Sequence, residues 1–337
     1  MEGNLLSSAS FGERHFKMEY RKLISFGKSS FIVSLPKSWI RQNKLKKGDL
    51  IYFEESGSNL FLQPRTSETG EEEKEITISV DGKDLRRIYR ELISAYIQNY
   101  KTITFAGNEI KKNAKEIQNL THNLVALEIL EQDSKKIVTK DFLNLNNIST
   151  TQILRKMDVI TRSMISDCKN MFEEDNCESI AQRDIDVNKF RFLIYRIAWF
   201  GIDNPSLIYR KLKLEQKDLI SSWWLAMTIE AIADHAKKIA EHMKTIDLPE
   251  KKKNELVRLL GDLEALYLET MKAYYTQNVE MAHNILHERF KLIQECDHFY
   301  QKNKGAHTGI GYLVYDMKFF IATTYKICRI VYEGMPG

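Results

Sequence analysis

The acids Glu230 and Asp234 stand where a helix should continue its apolar face. Ile220, Trp223 and Met227 follow helical spacing, and the two acids extend the same stripe by one further turn each. Carboxylates one turn apart on an inward face must be ion-paired, protonated or bound to a metal, because burying a bare charge is costly. The spacing therefore predicts a site at which these carboxylates meet a cation.

A second group of oxygen atoms lies on the preceding predicted helix, where Asp184 and Asn188 are one turn apart. Oxygen ligands from two helices suit a hard or borderline divalent ion. We predict one such ion, held by four residues: Asp184, Asn188, Glu230 and Asp234. The alternative is a solvated seam, or ion pairs with Lys237 and Arg191.

A strongly basic segment lies near the N-terminus of a chain whose net charge is only +4. From Lys17 to Lys47 there are nine basic residues against the single acid Glu19, so the remaining chain is net acidic. Such a local positive field attracts polyanions. We predict contacts to a phosphate backbone from five residues: Arg21, Lys22, Lys28, Lys37 and Arg41. The alternative is that these residues are ordinary solubilising charges.

Other chemistry has little support. The sequence contains no phosphate-binding loop of the GxxxxGK[ST] or GxGxxG kind and no supported Ser/His/Asp or Cys/His grouping, which argues against an enzyme. The four cysteines are scattered and form no CxxC pair, so we expect reduced thiols. No apolar run reaches the length of a membrane span, and Met1–Ser10 lacks a secretory pattern. We expect a cytoplasmic protein without membrane insertion.

The elements that must position the basic residues form a small β unit. With 337 residues and ordinary globular composition, the chain should hold two or three domains. Residues 20–64 have the pattern β-β-short α-β-β, with a hairpin turn at Gly27. About 45 residues bury too little apolar surface and leave strand edges open, so the unit should dimerise.

The elements that follow differ in period. Residues 66–75 contain no apolar residue, and their acidic and small polar composition predicts a solvated linker. Residues 75–146 predict a small α/β module, with strands at 75–80, 102–106, 127–131 and 136–139 and helices at 84–100 and 111–123. From residue 150 the pattern is helical throughout and predicts six helices, grouped as two three-helix units.

The basic β unit resembles the AbrB/SpoVT (MazE-like) family. The resemblance rests on RKL at 21–23, GKSSFIVSLPKSWI at 27–40, LKKGD at 45–49 and LFLQP at 60–64. It implies an intertwined, homodimeric swapped-hairpin β-barrel whose basic face binds DNA. By position, the resemblance transfers backbone contacts to Arg21, Lys22, Lys28 and Arg41.

The helical part resembles PhoU, the phosphate-uptake regulator built from two three-helix repeats. DIDVN at 184–188 matches the D-x-x-V-[D/N] pattern, and EAIADH at 230–235 matches the E-x-x-x-D-H signature. The resemblance implies that these acids line a cluster for a divalent or iron-type metal ion. In the second repeat the corresponding positions are Ile321 and Tyr325, which departs from the pattern.

The order of the parts resembles the archaeal AbrB-PhoU fusion regulators. We predict a multidomain chain: a dimeric swapped-hairpin β-barrel at 17–66, a small α/β spacer module at 75–146 and an all-α bundle of two three-helix repeats at 150–337. The predicted function is transcriptional regulation of phosphate uptake, with DNA and a second copy as partners. The alternative is an adaptor that docks on a phosphate transporter or signalling protein without binding DNA.

Overall fold

The computed structural model describes residues 19–56, 59–63 and 73–333. Lys17 and most of the predicted linker, up to residue 72, lie outside these ranges. The chain divides into two compact units, residues 1–69 and 70–337, which are described separately.

The N-terminal unit (residues 19–63 as described) consists of two hairpins around a short helix. β1 (Ile24–Phe26) pairs antiparallel with β2 (Ser30–Ile32). Gly27 in the connecting turn has a φ of 69°, a conformation that glycine adopts at low cost. α1 (Lys37–Gln42) follows Pro36, and β3 (Tyr52–Ser56) pairs antiparallel with β4 (Asn59–Gln63). The sheets stay separate, so the described residues form no closed barrel within one chain.

Apolar side chains of the N-terminal unit are exposed in the single chain. None of its side chains whose burial is described is buried. Phe31 is 67% exposed, Phe26 65% and Leu50 70%, and the other strands show the same pattern. Since monomeric proteins rarely leave such contiguous apolar surface open, this unit has the character of half a core.

The α/β module (residues 75–141) is a four-stranded mixed sheet with two helices. β5 (Glu75–Ser79), β6 (Thr102–Ala106), β7 (Leu127–Gln132) and β8 (Lys136–Asp141) stand in the order β5-β6-β8-β7. β5 and β6 are parallel and joined through α2 (Leu85–Ile97), whereas β8 is antiparallel to both β6 and β7. α3 (Ile110–His122) leads into β7. The module buries its own apolar cluster, which includes Phe105 and Leu92.

The helical bundle begins at residue 150. Its helices are α4 (Thr150–Lys169), α5 (Cys177–Asp203), α6 (Pro205–Leu212), α7 (Gln216–Thr245), α8 (Glu250–Thr276), α9 (Val279–Asn303) and α10 (Ile310–Glu333). The helical pattern predicts the last five long helices at about 178–200, 213–244, 251–277, 279–302 and 309–333, and the observed ends differ from these by no more than three residues. The sequence prediction missed α6, which starts at Pro205 because proline is favoured in the first turn of a helix.

The long helices pack as two groups of three. α4, α5 and α7 contact one another, as do α8, α9 and α10, and the groups meet through α7 against α10 and α4 against α8. One apolar cluster runs through both groups. α5 also contacts α2, and its Phe192 belongs to the apolar cluster of the α/β module. α5 therefore carries the acidic site on one side and holds the α/β module on another.

Candidate functional site

The five predicted DNA-contacting residues are spread over the first half of the N-terminal unit. Arg21 and Lys22 directly precede β1, and Lys28 lies in the β1–β2 turn. Lys37 and Arg41 are one turn apart on α1 and so share a face of that helix. All five side chains are exposed. Exposed cations of this kind can replace condensed counterions on a phosphate backbone.

Their ion pairing is sparse. Arg21 pairs with Glu19, and it is the one member of the five for which the described residues supply a carboxylate partner. The other four side chains are exposed, so they keep their hydration and are available to a polyanion. The three stretches that carry them are positioned by the hairpin turn and by α1.

The predicted metal ligands lie on α5 and α7, which pack along each other. α7 begins with a capping box, in which the side chains of Glu215 and Asp218 satisfy each other's backbone N–H groups. Asp184 is 5% exposed. The side chain of Glu230 is 20% exposed and that of Asp234 is 34% exposed. The sequence thus correctly placed carboxylates at a partly buried contact between two helices.

Each of the three carboxylates contacts a cation of the chain. Lys237 Nζ lies 2.6 Å from Asp184 Oδ2 and 3.1 Å from Asp234 Oδ1, so it bridges the two helices. Lys238 Nζ lies 2.6 Å from Asp234 Oδ2. Arg191 Nε lies 3.3 Å from Glu230 Oε1, without the alignment of a hydrogen bond.

Asn188 joins the network through its amide. Its Nδ2 donates to the backbone oxygen of Asp184 at 3.2 Å, and its Oδ1 accepts from Arg191 at 3.2 Å. Its oxygen atom therefore faces a guanidinium rather than the carboxylates. This arrangement matches the ion-paired alternative, in which Lys237 and Arg191 neutralise the acids.

The electrostatics distinguish the two acids of α7. Burial raises the pKa of Glu230, and the charges of Asp234 and Asp184 add to that increase, against the opposing effect of Arg191. Burial also acts to raise the pKa of Asp234, but hydrogen bonds from Lys238 and Lys237 outweigh it and hold that pKa below its usual range. Glu230 is the acid with the weaker compensation.

The fit to a metal ion follows from these contacts. A metal needs several free oxygen or nitrogen atoms directed at one point. Among the described residues there is no group of three or more His, Cys, Asp or Glu side chains that could hold a metal ion. Asp184 Oδ1 is buried without a hydrogen-bond partner, but Asp184 Oδ2 and both oxygens of Asp234 contact a lysine ammonium. Glu230 Oε1 contacts Arg191. As arranged, the four residues do not fit a metal ion, and the metal stays a prediction for chemical analysis.

Two further charge clusters were not foreseen from the sequence. Asp316 of α10 is 5% exposed and accepts from two histidines of α7, with His235 Nδ1 at 3.0 Å and His242 Nε2 at 2.9 Å. The two histidines are seven positions apart, which places them on one face of α7, but nothing in the sequence pairs them with a residue on α10. This cluster links the two groups of three helices.

The other cluster joins the α/β module to the bundle. Arg196 of α5, 1% exposed, forms two hydrogen bonds with Asp141 at the end of β8, at 2.9 Å and 2.6 Å. Lys101 Nζ lies 2.6 Å from the same carboxylate, and Asn99 accepts from Arg196 Nε at 2.6 Å. Burial acts to raise the pKa of Asp141, but Arg196 and Lys101 outweigh it and keep that pKa below its usual range.

Comparison with known protein families finds two matches. Residues 24–70 match the model of the MazE family, described as antidote-toxin recognition MazE, bacterial antitoxin. Residues 154–243 match the model of the PhoU domain. Neither a curated protein nor a solved structure matches the chain in the corresponding searches.

The matches confirm the resemblances stated above and their order along the chain. The PhoU match runs from within α4 to near the end of α7 and includes all four predicted metal ligands, and the MazE match covers Lys28, Lys37 and Arg41. A MazE/AbrB-like domain indicates a DNA-binding regulator, and a PhoU domain indicates a role in phosphate homeostasis. Both families consist of non-enzymatic regulatory domains. No helix within the described ranges is long and apolar enough to cross a membrane.

Proposed function

We propose that this protein is a homodimeric, non-enzymatic transcriptional regulator of phosphate uptake. Its N-terminal unit binds DNA, and its helical bundle senses or relays phosphate status. The observation that carries the proposal is the combination, in one small unit, of exposed cations and exposed apolar strands. The cations suit a phosphate backbone, and the apolar strands suit a second copy of the same unit.

The dimer is an intertwined barrel of two N-terminal units. In one chain β1–β2 and β3–β4 form two separate two-stranded sheets. A two-stranded hairpin alone is marginally stable in water, and its open edges are templates for further pairing. Swapping the hairpins between two copies pairs those edges and buries side chains such as Phe31 and Phe53, which are 67% and 64% exposed in the single chain. It also doubles the number of cations on one particle.

The bundle consists of two three-helix repeats. The PhoU match lies within the first group, α4, α5 and α7, and α8, α9 and α10 form a second group in which all three helices likewise contact one another. The positions that correspond to the acids in the second group, Ile321 and Tyr325, are buried apolar and aromatic residues. Within the described helices the acidic site therefore occurs once, between α5 and α7.

The decisive test is DNA binding as a function of salt. Duplex binding by the full chain should weaken steeply as salt rises. Replacing Arg21, Lys22, Lys28, Lys37 and Arg41 by alanine should flatten the dependence of log K on log salt by about one per lost phosphate contact, for all duplex sequences alike. The matched control replaces five exposed lysines of the bundle and the α/β module, Lys112, Lys115, Lys156, Lys217 and Lys272, with the same change in net charge.

If the control variant flattens the slope as much as the first, the binding is unspecific attraction to a basic particle and the proposed surface is wrong. Absence of duplex binding at low salt would exclude the regulator. Expression of phosphate-transporter genes in a deletion strain then tests the physiological part of the proposal, because a regulator of phosphate uptake must change their transcript levels.

The second candidate is an adaptor that docks on a phosphate transporter or signalling protein. An exposed aromatic stripe on α10 favours it: Tyr312, Tyr315 and Phe319 are 68%, 57% and 44% exposed at helical spacing. Aromatic side chains of this kind are common anchors in protein interfaces. The adaptor does not require DNA binding, so the salt titration separates it from the regulator.

The metal ion remains a separate prediction, tested by metal analysis of protein purified without chelator. A metal at Asp184, Asn188, Glu230 and Asp234 requires metal in the wild type that is lost in the Glu230→Ala/Asp234→Ala variant. Reconstitution with iron, zinc, manganese and magnesium precedes the measurement. Equal content in both proteins, or none in either, would exclude the site and leave the ion pairs with Lys237, Lys238 and Arg191 as the state of the acids.

A further inference from the structure

A cavity of about 660 Å³ opens where the α/β module meets the bundle. Its walls come from three places: the residues just before β5, the end of α2 with the turn into β6, and the end of α5 with the start of α6. The volume falls within the range of about 300–1,000 Å³ that is usual for small-molecule sites. The cavity is distinct from both the basic surface and the acidic site.

One side of the cavity is preformed by the buried cluster around Asp141. Asn99 and Lys101 line the cavity, and both are held from behind. Asn99 accepts from Arg196 at 2.6 Å, and Lys101 bonds Asp141 at 2.6 Å. Because Arg196 and Asp141 are fully buried, these two lining residues are fixed before any ligand arrives.

The other walls present charged groups for which the described residues supply no opposite charge. Lys74 and Asp203 are both exposed, line the cavity from different elements, and have no opposite charge within salt-bridge distance among the described residues. Trp199 is 45% exposed, although its ring also contacts Tyr195 edge-on at 6.1 Å. The cavity thus combines an aromatic surface with an ammonium and a carboxylate that residues 19–56, 59–63 and 73–333 leave unpaired.

From this combination we infer that the cavity binds a nucleotide. The base stacks on Trp199, its N–H groups donate to the carboxylate of Asp203, and the phosphates lie at Lys74 with Lys101 beside it. A nucleotide base covers the exposed ring of Trp199, which inorganic phosphate or a free amino acid would leave uncovered. Guanine is favoured over adenine, because guanine offers two adjacent N–H donors to one carboxylate and adenine offers a single amino group.

The test is isothermal titration of the full chain with GTP, GMP, ATP and inorganic phosphate. Saturable binding of the guanine nucleotides is expected, tighter for GTP than for GMP because of the lysines. Trp199→Ala should weaken it about tenfold or more, the size of one base–aromatic stack. Asp203→Asn should reduce the preference for guanine, and Lys74→Ala should weaken GTP more than GMP.

The matched control is Tyr209→Ala on α6, which removes an aromatic side chain of 49% exposure outside the cavity and should leave the affinity unchanged. The inference is overturned if no nucleotide binds at about 1 mM, the weak end of small-ligand affinity. It is also overturned if Trp199→Ala binds as the wild type does, or if inorganic phosphate competes equally well. None of these results depends on DNA binding, so the proposed function is tested separately.

Discussion

The N-terminal unit and the helical bundle differ in the burial of their apolar side chains and in the ion pairing of their charged side chains. In the N-terminal unit the strand residues are exposed, and four of the five predicted DNA contacts have no carboxylate partner among the described residues. In the bundle one continuous apolar cluster is buried, and cations such as Lys237 and Arg191 neutralise acids of the same chain. A unit that completes neither its core nor its charge balance internally is built to complete them with partners.

Removing the N-terminal unit should have the largest effect on assembly. Deletion of residues 1–66 should convert a dimer into a monomer, because the bundle and the α/β module each bury their own apolar cluster. The helical circular dichroism should be largely retained. Sedimentation at micromolar concentration measures the change, and a truncated chain that remains dimeric would place the interface on the bundle.

A single substitution in the N-terminal unit should also dissociate the dimer, and a matched substitution in the bundle serves as its control. Phe31→Asp places a charge on an apolar strand residue that is 67% exposed in the single chain, and it should dissociate the dimer. Val159→Asp makes the same kind of change on α4, where the side chain is 63% exposed, and should leave the dimer intact. Equal behaviour of the two variants would contradict the difference between the regions.

The next prediction concerns the buried charges of the larger unit. Asp141→Ala leaves Arg196 buried without its carboxylate, and loss of one partner of such a pair costs about 3–5 kcal/mol. Urea unfolding measures the loss. The exposed pair of Lys217 with Glu215 provides the control, since Lys217→Ala should change the free energy of unfolding by less than about 1 kcal/mol.

If Asp141→Ala fails to fold, Asp141→Leu/Arg196→Met should fold, because it removes the buried guanidinium together with its carboxylate. Lys101, whose side chain is 32% exposed, can turn its ammonium to solvent. The pair also gives a pH dependence. The lowered pKa of Asp141 means that its charged form stabilises the folded protein at pH values above the usual carboxyl pKa. This stability is lost as pH falls through the pKa of Asp141 in the folded state. The Ala variant should lack that part of the acid sensitivity.

The sequence was informative where the signal is local. Alternation and helical spacing located the strands of the three described sheets and the long helices, and i, i+4 spacing located the acids of α5 and α7. Partners distant in sequence escaped, because Arg196 and Asp141 lie 55 positions apart in different modules and no pattern joins them. The cavity escaped for the same reason, since Lys74 and Trp199 meet only through the packing of α5 on α2.

For the acids of α5 and α7, the sequence pattern is compatible with a bound metal ion and with ion pairs, and it does not distinguish the two. A carboxylate stripe on an inward face is the same pattern whether a metal or a lysine neutralises it. Lys237 and Lys238 stand three and four positions after Asp234, a spacing that permits contact on a helix. The bridge from Lys237 to Asp184 depends on how α5 and α7 pack, and a single helix pattern does not contain that information.

The smallest expected effect distinguishes Glu230 from its neighbours. Its raised pKa means that the folded protein binds the proton more tightly than the unfolded chain does, so the charged form costs stability once pH rises through the folded-state pKa. Glu230→Gln keeps the shape and removes that charge, and should stabilise the protein at pH 7 by about 1 kcal/mol, a common size for one favourable substitution. The gain should shrink as pH falls toward the ordinary carboxyl range, where the wild-type side chain is itself protonated.

Urea unfolding of the wild type and Glu230→Gln at pH 4 and pH 7 measures the gain and its decrease, with the exposed Glu241→Gln on the same helix as the control. A loss of stability in Glu230→Gln at pH 7 would mean that the contact with Arg191 outweighs burial, and the bundle would then hold all three acids as fully compensated ion pairs.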